Sequence, residues 1–331
     1  MSSNNSNIGT FTISLDFELY WGMRDKKSED QYRENIIGAR HAIPKLLRLF
    51  ETNDIHATWA TVGFLIFEDV EELEDNRPEI TPSYDDRNFS SYHYISESNA
   101  LDPLLHFAPD LVNQIAQTPG QEVGSHTFSH FYSLEKGPNK EEFRAEIKAA
   151  VNTAAKSGIS IRSLVFPRNQ CKVEYLDVLE ELGIRSFRGT EKAWMYRTAD
   201  EKGQTFLMRT FRFLDTYINL SGYNTYDLAK SSTDSVVNLP SSRYLRPFKK
   251  QIATLDFLKF NRIKNAMTYA AKNGHLFHLW WHPHNFGVNL EKNMAFLKKI
   301  LNHFEILHSQ LGMQSLNMGE IEQLLRGDGI V

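Results

Sequence analysis

Gly120-Gln-Glu-Val-Gly-Ser-His-Thr-Phe-Ser-His130 decides how the rest of the chain is read. Glu122 to Ser125 is a short segment bounded by glycine, suited to a buried strand, and it runs straight into two histidines. His126 and His130 are four apart, so one helical turn at the strand's end would aim both imidazoles the same way. Two readings are open for such a pair: metal ligation, or histidines that cap and pack a strand end. A zincin is disfavoured, because Thr127 stands where H-E-x-x-H needs its glutamate.

Working outward, strands alternate with helices. Phe11–Leu15, His56–Val62, Arg162–Phe166, Ile184–Phe187, Leu207–Phe213 and His275–Trp281 read as strands. Helices are expected on the stripes Ile36/Ile43/Leu47/Phe50, Phe143/Ile147/Val151/Ala154, Leu176/Leu179/Leu182 and Leu290/Met294/Leu297/Leu301/Phe304. Two more are expected from about 103 to 117 and 255 to 272. This alternation predicts a parallel sheet, and the number of units predicts an α/β barrel of about seven strands rather than an open sheet. No repeat or linker divides the chain, so residues 1–331 read as a single domain. Two surface excursions interrupt it, at about 68–99 and 215–245.

Asp16, His126, Arg168 and His282 each follow a predicted strand directly. In a parallel α/β barrel such positions gather at one face, where barrel enzymes keep their chemistry. Glu18, two residues past Asp16, completes a two-histidine, one-carboxylate set with His126 and His130 that suits hydrolytic Zn²⁺. Asp16 is then free to act as a general base, with Arg168 as a cation that holds it ionised. Trp280-Trp281-His282-Pro283-His284 forms an opposite wall, and His282 is placed to protonate an amine leaving group. His284 is a supporting group, Pro167, Asn169, Trp280 and Trp281 are candidate substrate contacts, and His278, in mid-strand, reads as structural.

Several stretches carry a resemblance: Leu15-Asp-Phe-Glu18, Ala57-Thr-Trp-Ala-Thr-Val-Gly63, Gly120 to His130, Phe166-Pro-Arg-Asn169 and Trp280-Trp-His282. In their order and content they resemble the NodB-homology polysaccharide deacetylases, the fourth family of carbohydrate esterases. Within that family the chain is most similar to deacetylase-like proteins of lipopolysaccharide and O-antigen biosynthesis clusters. The resemblance implies a distorted (β/α) barrel, a divalent metal (Zn²⁺ first, with Co²⁺, Ni²⁺ or Mn²⁺ as alternatives) and hydrolysis of an N-acyl group on an amino sugar. It matches the base to Asp16, the histidine ligands to His126 and His130, and the acid to His282. Three departures stand out. Phe17 replaces the second of two adjacent aspartates, Arg168 follows rather than precedes Pro167, and the leucine-x-histidine motif survives only as Trp280-Trp281-His282.

Composition narrows the setting. A net charge of -4 and a pI near 6.3 give no case for nucleic acid or an anionic membrane. A lone cysteine, Cys171, precludes an internal disulfide, and no apolar run approaches the roughly 20 residues of a bilayer span. Met1–Asn7 has no basic or apolar region of a signal peptide, so a cytoplasmic protein is expected. Its substrate is then an acylated amino sugar met before export, as a sugar nucleotide, a lipid-linked precursor or an oligosaccharide. Tyr217, Tyr223 and Tyr226 are candidates to stack on the sugar. The competing reading is a catalytically degenerate glycan- or sugar-nucleotide-binding protein of the same fold. An Fe(II) oxygenase would share the ligand triad, but nothing else points to redox chemistry.

Overall fold

In the computed structural model, residues 8–201, 203–228 and 235–327 are described. The start of the chain and residues 229–234 of the second excursion lie outside them.

The core is a parallel sheet built from β1 (Thr10–Phe17), β2 (Ala57–Thr61), β3 (Gln121–Ser125), β4 (Ser163–Leu164), β5 (Ser186–Phe187), β6 (Val237–Asn238), β7 (Arg243–Tyr244) and β8 (Leu276–Trp281). The strand order is β6-β5-β4-β3-β2-β1-β8-β7, and β9 (Gln314–Ser315) adds to the start of β1. β6 and β7 are two halves of one stave. Val237 and Leu239 donate to the Arg185 and Phe187 carbonyls, whereas Ser242 and Leu245 donate to those of His278 and Trp280. Between the halves stands Pro240, which has no N–H to donate and suits the point where the chain changes partners. Residues 237–245 thereby join β5 to β8, and the curled sheet has seven staves around its circumference.

Period-2 alternation sorts each strand. On β1, Phe11, Ile13, Leu15 and Phe17 pack against helices, and all are 1 % exposed or less. Thr12, Ser14 and Asp16 take the opposite face, which is the barrel interior. The interior is therefore polar but closed at the bottom: Glu122 accepts from Thr58 (2.6 Å) and Ser163 (2.5 Å), and from the Gly319 backbone N–H (3.0 Å). Gly319 belongs to a C-terminal helix, Met318–Arg326, whose Met318 and Ile321 join Ala60, Val165, Val237, Leu239 and Leu276 in a small apolar plug.

The structure corrects several expected elements. Residues 206–215 are a helix capped by the Thr205 side chain, not a strand, and its Phe206, Leu207, Phe213 and Leu214 are exposed outside the barrel. The helix expected over 103–117 is broken into Pro103–His106 and Pro109–Gln117, since Pro109 lacks the N–H to continue it. The excursion at 68–99 is not structureless: it holds short helices at Val70–Asp75 and Ser91–Glu97. Helix Glu29–Thr52 crosses Pro283–Gly287 at a pair of glycines; a Cβ on Gly287 would stand 2.3 Å from the Gly38 carbonyl carbon.

Candidate metal centre and active site

β1 stays extended through Phe17, so Asp16 and Glu18 fall on the same face and Phe17 on the other. An adjacent pair of carboxylates would be split across the sheet by this backbone, which accounts for the carboxylate-x-carboxylate spacing. Glu18 is 4 % exposed and is the hub of the centre. One of its oxygens, Oε2, lies 2.9 Å from His130 Nε2 and 3.3 Å from His126 Nε2. The other, Oε1, lies 3.7 Å from His282 Nε2 and 3.8 Å from His284 Nε2.

His126 and His130 reach Glu18 without the helical turn expected from their spacing. Thr127 and His130 have left-handed backbone (φ 63° and 65°), and side chains satisfy the loop's donors. Phe131 N–H donates to Thr127 Oγ1 (2.7 Å), and Glu146 accepts from the Ser129 N–H and hydroxyl (both 2.8 Å). Burial, opposed by these hydrogen bonds, raises the Glu146 carboxyl to about 7. The two rings still end 5.1 Å apart.

Asp16 is gripped by a residue absent from the sequence-derived set. Arg188, fully buried directly after β5, makes a fork to both Asp16 oxygens (2.7 and 2.8 Å) and also donates to Ser14 (2.9 Å) and Asn169 (3.0 Å). His278 supports the arrangement from below, with Nε2 2.8 Å from Ser14 Oγ and Nδ1 3.0 Å from the Leu239 carbonyl. Burial opposes ionisation of Asp16, but Arg188 and His282 outweigh it and hold the carboxyl below its ordinary range. Burial opposes ionisation of Glu18 too, but His282 and the hydrogen-bonded His130 outweigh it and drive the carboxyl well below its usual value. Burial lowers His130 to about 4 and His284 to about 3.

The structure brings Asp16, Glu18, His126, His130, His282 and His284 together; His282 Nε2 is 3.6 Å from Asp16. Arg168 is elsewhere. It pairs with Asp25 and Glu201 and lies over the Tyr132 ring at 4.1 Å, so it is not the cation on Asp16. Asn169 does approach the site, through Arg188, whereas Pro167 is buried in the turn after β4. Trp280 faces the cleft beneath Arg188 (4.2 Å). Trp281 points the other way, fully buried against Phe286, because neighbours on a strand alternate. Tyr223 packs on Tyr269 and Tyr226 donates to the Ser241 carbonyl, while Tyr217 packs on Phe213. Arg188 was findable: it follows the predicted strand Ile184–Phe187 directly, the signal that singled out Asp16, His126 and His282.

The donor set fits a divalent metal. One atom each from Glu18, His126 and His130 lie within 4.8 Å of one another, and Glu18, His282 and His284 meet the same condition. The first trio is the better cage. His126 Nδ1 is 2.8 Å from the Val165 carbonyl, which fixes the tautomer that leaves Nε2 free, and that buried Nε2 has no hydrogen-bond partner.

A polar-lined barrel with carboxylates and imidazoles at the carboxyl ends of its strands defines the class of a (β/α)-barrel with a metal-capable site. Comparison with known proteins narrows it: residues 30–187 match the polysaccharide deacetylase family model, a span that includes His126 and His130 but not Asp16, Glu18 or His282. No curated protein matches the chain. Among solved structures the chain is similar to a protein of Mycobacterium smegmatis assigned as a polysaccharide deacetylase, at 15% identity and TM-score 0.57 over 99% of this chain and 93% of that one. It is also similar to a protein of the same assignment from Pseudomonas aeruginosa PAO1 (10% identity, TM-score 0.52, 95% and 89% coverage). A GH57-type branching enzyme from Pyrococcus horikoshii shares the fold as well (12% identity, TM-score 0.53, 97% and 71% coverage). At such identities the likeness establishes the fold, a distorted, mostly parallel (β/α) barrel of the NodB type.

Proposed function

We propose that the chain is a metal-dependent hydrolase that removes an N-acyl group, N-acetyl first among them, from an amino sugar used in surface-polysaccharide synthesis. The observation that carries this reading is the convergence of Glu18, His126 and His130 beside an arginine-clamped Asp16 and a half-open His282. A divalent cation held by Glu18, His126 and His130 supplies Lewis acidity, polarising an acyl carbonyl and acidifying water.

The residues divide the proton work. Both Asp16 oxygens are engaged by Arg188, so the carboxylate is oriented and fully ionised at neutral pH. A carboxylate held low is a weak base, and it would suffice where a bound cation acidified the attacking water. It takes that water's proton as the new C–O bond forms. His282, 22% exposed and 3.6 Å from Asp16, faces both the base and solvent. It gives its proton to the nitrogen as the C–N bond breaks, which releases a free amine and a carboxylic acid that ionises in solution. Glu18 and the buried His284 border it on the closed side, with the His284 ring stacked 4.9 Å from that of His282.

The test is release of acetate from N-acetylated amino sugars by metal-loaded protein, with chelated protein as control. Turnover that ignores both the metal and Asp16→Asn would overturn the reading.

A further inference from the structure

Beside the centre lies a cavity of about 480 Å³ that the deacylation chemistry does not use. It meets the centre at Trp280, Tyr244 and Asn169: the Tyr244 ring is 4.7 Å from Trp280 and 6.0 Å from His282, and Asn169 is bonded to Arg188. Its wall is unusually cationic. Arg168, Arg209, Arg212, Arg243 and Arg246 all line it, against one carboxylate, Glu191.

Several of these charges are not neutralised by their neighbours. Arg209 has only a share of Glu201, which also meets Lys26 and Arg168, whereas Arg168 is paired with the buried Asp25 as well. Arg243, 2 % exposed, is paired with Asp215, but that carboxylate also faces Arg262 at 3.5 Å. The Nε and Nη2 of Arg243 are buried without a hydrogen-bond partner. Arg212 donates only to the Gln204 amide (2.7 Å) and Arg246 to the Thr216 hydroxyl (2.8 Å), and no ion pair joins either to a carboxylate among the described residues. Burial, with Arg246 and Arg209 adding to it, holds the Arg212 guanidinium below its ordinary value. Buried or half-buried cations of this kind are costly unless an anion meets them. Arginine forks match phosphate oxygens in particular.

We infer that this arginine-lined cavity is a subsite for a phosphate group carried by the amino-sugar substrate. The inference rests on the proposed deacylation, which places the sugar's acyl nitrogen at His282 and its phosphate beyond Trp280. The aromatic pair Trp280 and Tyr244 then stands where the ring joining the two would pass, with apolar faces to stack on it. A nucleoside diphosphate and a lipid-linked diphosphate present the same oxyanions, and the cavity chemistry recognises what they share.

The experiment reads binding without turnover. Inorganic pyrophosphate is titrated calorimetrically into the full chain, alongside a variant carrying Arg212→Gln and Arg246→Gln together. Wild type is expected to bind, and the double variant to bind at least about tenfold more weakly, the effect of a lost charge-assisted contact. Metal content and thermal midpoint of the variant serve as controls for folding, and Arg246→Lys alone, which keeps the charge, should lose less than the double change. Equal binding by wild type and a folded double variant, or no binding by wild type at millimolar pyrophosphate, overturns the subsite. Binding that persists while no acylated sugar is hydrolysed removes the proposed reaction and leaves the subsite. Comparing a uridine-diphosphate-linked with a polyprenyl-diphosphate-linked N-acetyl amino sugar distinguishes the two sources. Each should show a raised KM in the double variant, and a KM unmoved for both would count against the assignment.

Discussion

Replacing Arg188 with methionine isolates the residue that holds the base. The side chain is fully buried and makes four hydrogen bonds: two to Asp16, one to Ser14 and one to Asn169. Methionine roughly fills the volume, so the loss is chiefly of charge. Breaking a buried pair by removing one partner costs about 3–5 kcal/mol, a large part of the roughly 5–15 kcal/mol that keeps a protein folded. The pH dependence has a definite sign. In the wild type Asp16 is held below its unfolded value, so its contribution is present above about pH 3.9 and is lost as the pH falls. Without Arg188 the burial effect is less opposed, so the carboxyl pKa rises, the acid limb of kcat/KM moves to higher pH, and the variant loses stability as Asp16 ionises. Pairing the change with Asp16→Asn removes the stranded charge. The double variant should melt higher than Arg188→Met while remaining inactive. The assay is thermal melting and kcat/KM from about pH 4 to 9 for wild type, both singles and the double. A double variant no more stable than Arg188→Met, or an acid limb that stays in place, would refute the clamp.

Three further outcomes follow from the geometry. His282→Ala should keep its metal and its fold yet lose about 10²–10⁴-fold in kcat, the usual contribution of a general acid, as read in acetate-release kinetics. Gly287→Ala should lower the melting point and the activity together, because its new Cβ meets the backbone of Gly38 at 2.3 Å and must push aside the turn that carries His284; overpacking of this kind costs about 1–3 kcal/mol. His56, whose Nδ1 lies 2.7 Å from Glu320, is raised above its ordinary value by that hydrogen bond against burial. Its contribution to stability is complete below about pH 6.5 and fades as the pH climbs through the raised native value, so His56→Gln should flatten this part of the stability-against-pH curve.

Much of the barrel was legible because the strands leading to chemistry are long or strongly patterned. β1, β2, β3 and β8 have five to eight residues and end in the motifs that gave the site away. β4 and β5, only two residues each, still fall inside the apolar runs Arg162–Phe166 and Ile184–Phe187, whereas β6 and β7, equally short, lie in the polar second excursion and show no alternation. In helix 206–215 the run of Phe and Leu imitates a strand, and only packing shows that most of those side chains face outward. The carboxylate-and-histidine cluster is readable from strand ends, but the sequence points to Arg168 as the clamp because it sits beside Pro167 directly after a strand. Which arginine reaches Asp16 depends on which strand closes next in the barrel, and β5 delivers Arg188 to the interior while the left-handed turn at Arg168 and Asn169 (φ 54° at both) sends Arg168 out towards Asp25. The arginine cavity gave no sequence signal at all: its cations are scattered from 168 to 246 and come together only in the folded chain.

Elemental analysis of purified protein dialysed against zinc, beside His126→Ala, reads the metal centre of Glu18, His126 and His130 without recourse to activity. About one ion per chain is expected in the wild type and loss of most of it in the variant, with the fold retained. A wild type that binds no divalent ion, or a folded His126→Ala that keeps its full complement, would contradict that centre.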